Sequence, residues 1–195
     1  MPLDFGSSGG GMPFLRFSIE DNAWKMSSQE GGDLIEVEWS APVLVDIERI
    51  RLGWLRLAGG RDFQEWPGNN QTSRPSEEYK SGFIVQFYSS QLFGDAPVRE
   101  LSSDRAGLQE FIKKLYNEVE AAGKFESGEI PAIKMLPAIK TRIGKGPTKI
   151  PQFELLGYKP RPADMENGGS DSGISTSAAD LAPPAADDSF ADMTI

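Results

Sequence analysis

A local concentration of positive charge lies in the last third of the 195-residue sequence. Five basic residues and no acidic ones fall between positions 134 and 149, around a loop that Gly144, Gly146 and Pro147 indicate. The five are Lys134, Lys140, Arg142, Lys145 and Lys149. Basic side chains neutralise backbone phosphates and release counterions, so nucleic acid bound through them dissociates more readily as salt rises. An ordinary solvated hairpin has the same pattern, and charge runs more often have that simpler origin.

Flat aromatic side chains in polar stretches of the sequence are a second feature that could bind a ligand. Trp66 lies in a polar loop, and Tyr79 and Lys80 stand immediately before a strand-like segment. Trp54 lies inside a segment rich in Val, Ile and Leu. Stacking of a nucleobase on such a ring contributes about 1–3 kcal/mol. Core packing explains any one of these rings better, whereas the set together favours contact with bases.

The C-terminal region is acidic. Positions 164–195 carry seven acids and no base, which leaves 20 bases and 22 acids in the rest of a chain whose net charge is −9. Acidic and apolar residues are interleaved at the very end, as Asp187, Asp188, Phe190, Asp192, Met193 and Ile195. Such a peptide suits the basic, hydrophobic pocket of a partner, or competes with nucleic acid for the protein's own groove. Acidic tails are also often inert.

The residue types that most catalytic sites use are missing. The sequence has no cysteine and no histidine, which removes thiol nucleophiles, thiolate metal sites and the commonest general base. Residues 6–10 match G-x-S-x-G but lack the strand, helix and histidine that this motif requires. We therefore expect a protein that is not an enzyme and has no catalytic residue, metal or cofactor. Without a secretory leader or a run of about 18 apolar residues, it is expected in the cytoplasm, with no membrane partner.

Hydrophobic patterns indicate the elements that position these segments. Residues 1–11 are predicted to be a flexible Gly/Ser-rich arm, residues 12–162 a folded domain and residues 163–195 a disordered acidic tail. Short alternating or apolar segments predict strands. They are residues 15–19, 35–39, 43–57 with a bend near Gly53, 83–87, 130–136 and 153–158. One helical face is defined by Leu108, Phe111, Ile112, Leu115 and Val119.

The order of these elements is several strands, one helix and two final strands. A small antiparallel barrel with its helix between the third and fourth strands has this order. We therefore predict a mainly β (α+β) fold, namely a five-stranded oligonucleotide/oligosaccharide-binding barrel, or OB fold, with one helix. Other small α+β sheets fit the same order. In an OB barrel the connection between the last two strands flanks the ligand groove, which is where the basic loop falls.

Short blocks of the sequence resemble a group of bacteriophage and prophage proteins over most of residues 11–162. The blocks are Gly11–Leu15, Asp46–Ile47, Gly53–Trp54, Arg74–Pro75, Tyr79–Phe83, Arg99–Ser103, Pro131–Ile133, Pro151–Glu154 and Gly157–Pro162. The plan of barrel, linker and acidic tail is similar to that of phage and bacterial single-stranded DNA-binding proteins. In that family the tail recruits replication and recombination proteins, which the resemblance implies for the six tail residues above. The sequence departs from the family in placing Phe190 five residues from the end and finishing on Thr194–Ile195, so the partner pocket stays open.

The leading hypothesis is sequence-independent binding of single-stranded DNA in phage-type replication or recombination. Stacking is assigned to Trp54, Trp66 and Tyr79, and phosphate contacts to Lys80, Lys134, Lys140, Arg142, Lys145 and Lys149. A second hypothesis is a non-enzymatic phage accessory or structural adaptor that binds only protein. A third is a small metal-dependent nuclease, which needs about three converging carboxylates that the spacing does not suggest. The sequence leaves open a homo-oligomer, DNA versus RNA, and whether the basic loop and the rings share one face.

Overall fold

The structure is a computed structural model that describes residues 12–28, 33–144 and 146–167. The predicted N-terminal arm, residues 1–11, lies outside these residues, as do Lys145 and everything after position 167. Within the described ranges, no helix combines the length and the apolar character needed to cross a membrane.

Strands dominate the described part of the chain, and helices are few. The strands are β1 (Phe14–Ser18), β2 (Ala23–Ser27), β3 (Leu34–Glu36), β4 (Val43–Val45), β5 (Arg51–Arg56), β6 (Asp62–Glu65), β7 (Lys80–Tyr88), β8 (Val98–Ser103), β9 (Glu129–Ile143) and β10 (Gly146–Pro160). The helices are α1 (Ser90–Phe93), α2 (Ala106–Ala121) and α3 (Ala163–Asn167), and a 3₁₀ turn covers Pro67–Asn69. The prediction of a mainly β fold is confirmed.

The described strands form one curled sheet with the shape of a half barrel. Its order is β10-β9-β4-β7-β8-β1-β2-β3, and β5 pairs beside this path with β7 and β6. Strands β1 and β8 pair in parallel over only two positions, Phe14 opposite Glu100 and Leu15 opposite Leu101. The other pairs of described strands are antiparallel. The N-terminal meander β1-β2-β3 therefore extends the sheet beside β8.

The predicted OB barrel has five strands, and the described residues form ten. The difference arises where strands do not show hydrophobic alternation. In β8, Arg99 and Glu100 are buried, at 2% and 4% exposure. Glu100 is held by Arg51 at 3.0 Å and Arg61 at 2.7 Å. Because these partners are distant in sequence, nothing local marks β8 as a buried strand.

The core lies between the sheet and α2. The helix face predicted from the sequence is confirmed, since Leu108, Phe111, Ile112, Leu115 and Val119 are at most 4% exposed. The ring of Phe111 packs edge-on against Phe153 at 5.5 Å and against Trp24 at 6.2 Å. Burial of one such side chain stabilises a fold by about 1.5–3 kcal/mol. This face therefore packs α2 against both the middle of the hairpin β9–β10, at Phe153, and the meander, at Trp24.

The segment 43–57 bends at a different place from the one predicted. It breaks between the end of β4 at Val45 and the start of β5 at Arg51, and not at Gly53. Gly53 lies inside β5, where a Cβ atom would stand 2.4 Å from the Gln64 carbonyl oxygen and 2.7 Å from the Phe63 ring. The glycine therefore permits close packing of β5 on β6, and the prediction of a bend there is wrong.

The folded part also continues beyond the predicted boundary at residue 162. Residues Ala163–Asn167 form α3, in which Met165 is only 1% exposed. Just before it, Arg161 forms a bidentate pair with Asp46, with both N–O distances at 3.0 Å. A single buried methionine among acids and small residues gives no periodic signal, so the sequence placed the start of the tail five residues too early.

Candidate nucleic-acid interface

Most of the predicted basic residues lie on the long hairpin β9–β10. Its two 15-residue strands pair from Glu129 opposite Pro160 to Ile143 opposite Gly146. Lys140 stands directly opposite Lys149, and Arg142 opposite Pro147. Directly opposed residues share one face of a sheet. Lys140, Arg142 and Lys149 therefore project from the same face of the hairpin end.

Lys134 lies on the opposite face of this hairpin. Leu136 is paired with Gln152, and the next pair is Ile139 with Ile150. Three residues of β9 therefore span the same length as two residues of β10, so β9 contains a bulge. Without this extra residue, Lys134 and Lys140 would share a face because their separation is even. Instead Lys134 is opposite Glu154, and the neighbouring pair Met135 and Phe153 is buried. The bulge thus separates Lys134 from the other three bases.

A second pair of like charges stands beside the hairpin end. In β1 and β2, Arg16 is directly opposite Lys25. The turn at Glu20 and Asp21 connects the two pairs, because Lys149 Nζ donates to the Glu20 carbonyl oxygen at 3.4 Å and Lys25 Nζ binds the Asp21 carboxylate. Hydrogen bonds from Lys25 and then Ser18 lower the pKa of Asp21. We call Arg16, Lys25, Lys140, Arg142 and Lys149 the basic strip.

The basic strip runs into a groove of about 680 Å³. After their two paired positions, β1 and β8 separate, and residues 16–20 and 102–105 line opposite walls. Arg16 and Arg105 lie in these walls, together with the exposed Phe14 and Leu57. Asp104 is already paired with Lys80 at 3.7 Å and with Arg105 at 3.8 Å. Lys80, a predicted phosphate contact, is therefore exposed near this groove and engaged with Asp104.

The three aromatic residues predicted to stack on bases do come together, but as a buried cluster. Trp54, Trp66 and Tyr79 are 7%, 9% and 7% exposed. The Trp54 and Trp66 rings meet edge to face at 5.4 Å, and Trp54 Nε1 donates to the Thr72 carbonyl oxygen at 3.1 Å. Tyr79 donates to Asp62 at 2.5 Å, and this hydrogen bond raises the pKa of the Tyr79 phenol.

Because they are buried, these three rings cannot stack on bases in the described conformation. Their polar sequence neighbours misled the prediction, because the polar segment 66–79 folds over its own aromatic residues. Two other aromatic rings are clearly exposed among the described residues, Phe14 at 40% and Tyr116 at 37%. A sequence signal for Phe14 existed: it shares the even-numbered face of β1 with Arg16, opposite the buried Leu15 and Phe17.

Several predicted residues lie outside the described part of the chain. These are Lys145 and the six tail residues Asp187, Asp188, Phe190, Asp192, Met193 and Ile195. Within residues 12–28, 33–144 and 146–167, no three Asp or Glu side chains converge in a way that could hold a metal ion.

Comparison of the chain with protein-family models, with curated proteins and with solved structures gave no significant match.

Proposed function

We propose that the protein binds single-stranded DNA without sequence preference, through the basic strip and the groove between β1 and β8. One observation carries this proposal: two cross-strand pairs place like charges directly opposite each other. They are Lys140 with Lys149 and Arg16 with Lys25. Like charges directly opposed across strands destabilise a sheet. Asp21 already pairs with Lys25, so a bound polyanion would relieve chiefly the repulsion between Lys140 and Lys149.

The order of the strands supports an OB barrel as the scaffold. An OB barrel pairs its first strand with the second and the fourth, the second with the third, and the fourth with the fifth. The same pattern holds if β4 and β5 together are the first strand and β7, β8, β9 and β10 follow as strands two to five. Helix α2 then lies between strands three and four. OB folds bind oligonucleotides near the connection of the last two strands, beside which Lys140, Arg142 and Lys149 of the basic strip lie here.

The groove supports single-stranded rather than duplex DNA. A single strand presents unstacked bases, and sequence-tolerant binding combines phosphate neutralisation with stacking on exposed rings. Phe14 supplies such a ring on the same strand as Arg16. The acidic end of the chain, in this proposal, recruits replication or recombination proteins in a bacterial cytoplasm.

The test is a titration of a labelled oligo-deoxythymidine, followed by fluorescence anisotropy at several salt concentrations. Tryptophan quenching is a poor readout because Trp24, Trp54 and Trp66 are buried. The logarithm of the association constant should fall with the logarithm of salt concentration by about 0.7 per phosphate contact. The double variant Lys140→Gln/Lys149→Gln should lower this slope by about 1.4 and weaken binding about twentyfold near 0.1 M salt.

The matched control is Lys134→Gln/Lys159→Gln. It removes the same charge from the same hairpin, but Lys134 lies on the opposite face from Lys140 and Lys149 and Lys159 lies near the far end. Binding should be nearly unchanged. Equal losses in the two double variants would show that only net charge matters, and the proposed interface would be wrong.

A specific observation also favours the protein-only adaptor as a second candidate. Strand β3 stands at one edge of the described sheet, and its Leu34 and Ile35 side chains are 39% and 48% exposed. An open edge with apolar side chains accepts an added strand from a partner. Failure of the wild-type protein to retain DNA at low salt would leave this candidate as the better account.

A further inference from the structure

A second cavity of about 390 Å³ lies between α2, the first residues of β7 and the segment that contains the 3₁₀ turn. Its walls are mainly apolar and include Ile50, Leu52, Trp66, Phe83, Ile112 and Tyr116. No residue of the basic strip lines it. Cavities of this size that are mostly apolar with a few polar groups are typical small-molecule sites.

Trp66 lines the cavity and carries a buried polar atom that is paired with no described residue. Its side chain is buried, and among the described residues its Nε1 has no hydrogen-bond acceptor. The neighbouring Trp54 differs, since its Nε1 donates to Thr72. Buried donors are nearly always paired, so an unpaired one calls for an explanation. A ligand that supplies a hydrogen-bond acceptor here would remove the free-energy cost of leaving the buried Trp66 N–H unpaired.

The walls are held in position by amide side chains. Asn69 accepts from the Leu52 backbone nitrogen at 3.1 Å, and Gln109 donates to the Ser81 carbonyl oxygen at 2.8 Å. These bonds fix the 3₁₀ turn to β5 and α2 to β7. These parts of the cavity are therefore formed before any ligand binds, and the Trp66 indole is the part that must turn.

Helix α2 adds a positive charge and an exposed ring. Lys113 lines the cavity and, within the described part of the chain, takes part in no ion pair or hydrogen bond. Tyr116 also lines it and is 37% exposed, and its ring packs at 4.8 Å on Phe125. An exposed ring with a cation one helical turn away matches a planar heterocycle that carries a negative group.

We propose that this cavity binds one nucleotide. The base stacks on Tyr116 among the apolar walls, one of its ring acceptors pairs with Trp66 Nε1 as the indole turns towards it, and the 5′-phosphate lies beside Lys113. The inference rests on the proposed function, because the nucleotide would belong to a bound strand. It concerns a surface separate from the basic strip, so the two can fail independently.

The experiment is a titration of the full chain with deoxythymidine monophosphate, observed through the indole N–H signals in ¹⁵N-resolved NMR spectra. The sequence contains four tryptophans, so four signals are expected, and the variant Trp66→Phe assigns that of Trp66. Its signal should move the most. Lys113→Gln should weaken binding about two- to fivefold, as expected for the loss of one exposed ion pair with the phosphate. Thymidine, which lacks the phosphate, should bind the wild type and Lys113→Gln equally.

The matched control is Lys114→Gln. Lys114 is the next residue on the helix, but its ammonium lies 5.0 Å over the Phe153 ring, and it does not line the cavity. This variant should bind the nucleotide as the wild type does. A Trp66 signal that stays fixed in millimolar nucleotide would overturn the proposal, and so would equal weakening by Lys113→Gln and Lys114→Gln. If Lys140→Gln/Lys149→Gln still lost DNA binding, the proposed function would stand without this cavity.

Discussion

Three charged residues join distant parts of the chain in a largely buried network. The Arg161 side chain is 9% exposed and binds Asp46, which is 1% exposed, and Glu48, which is 25% exposed. The shortest contact, Arg161 to Glu48, is 2.6 Å. Removing one partner of a buried pair leaves an uncompensated charge, which typically costs about 3–5 kcal/mol. The network therefore fastens the end of the described chain to the bend between β4 and β5.

This network predicts a specific pH dependence of stability. The hydrogen bond from Arg161 is the main cause that lowers the pKa of Glu48 below the ordinary value of 4.5. Since the unfolded chain binds this proton more readily, the contribution of Glu48 to the free energy of unfolding is complete above pH 4.5. It is lost as the pH falls through the lowered pKa. We expect Glu48→Gln to have a lower free energy of unfolding than the wild type at neutral pH. Its free energy of unfolding should also fall less steeply as the pH is lowered.

Urea unfolding of wild type and variant from neutral pH down to pH 3 would measure this difference. Glu110→Gln is the control, because Glu110 is exposed on α2 and forms no ion pair within the described ranges. Parallel curves for the wild type and Glu48→Gln would contradict the assignment.

At the scale of elements, the start of α2 touches the hairpin that carries the basic strip. A Cβ atom on Gly107 would stand 2.4 Å from the Lys149 carbonyl oxygen and 3.0 Å from Thr148 Oγ1. The glycine therefore allows the backbones of α2 and β10 to approach closely. Through this contact the helix fixes the position of Lys149.

We expect Gly107→Ala to destabilise the protein. Alanine improves helix propensity by about 1 kcal/mol over glycine, but overpacking against a backbone carbonyl costs about 1–3 kcal/mol. The net effect on the free energy of unfolding should be a loss, with weaker DNA binding because Lys149 moves. Asn117→Ala, at an exposed position of the same helix, should instead gain a few tenths of a kcal/mol. Similar gains for both variants in urea unfolding would rule out the close approach.

Elements with regular hydrophobic spacing were predictable, and those stabilised by distant partners were not. The apolar face of α2 and the burial of Phe83, Val85 and Phe87 in β7 follow directly from the sequence, although Ile84 on the other face of β7 is buried as well. The bulge in β9 does not, although it decides which lysines share a face. Nor does the burial of Trp66, which depends on residues 67–79 folding back over it. Local patterns indicate the secondary structure that a segment prefers. Which side chains share a face of the sheet, and which residues bury a given ring, depends on contacts with other segments.

At the scale of the whole molecule, the charge is unevenly distributed. The net charge is −9, yet the described fold presents the basic strip where the end of the hairpin meets β1 and β2. Residues 168–195 contribute five acids and no base. Such an asymmetry attracts a polyanion to one surface and repels it from others, and both effects weaken with salt.

Removal of residues 168–195 should therefore tighten binding of single-stranded DNA at low salt, with the gain vanishing near 1 M salt. Stability should not change. Truncation after Pro162 should in addition lower the free energy of unfolding by about 1.5–3 kcal/mol, because the buried Met165 side chain is lost. Anisotropy and urea unfolding of both variants separate the two effects. Unchanged affinity after removal of residues 168–195 would show that the acidic tail does not compete for the interface.

The parallel contact between β1 and β8 also sets the time at which β1 can join the sheet during synthesis on the ribosome. The two strands pair at Phe14 with Glu100 and at Leu15 with Leu101, so 86 positions separate the partners. At a synthesis rate of about 5–20 residues per second, β1 waits roughly 4–17 seconds for its neighbour to be made. During that interval the nascent meander has an open edge of backbone hydrogen-bond donors and acceptors. Among the described strands, β1 to β3 thus stay without this neighbour in the sheet until β8 has been made, and a factor that shields nascent chains would cover the open edge during that interval.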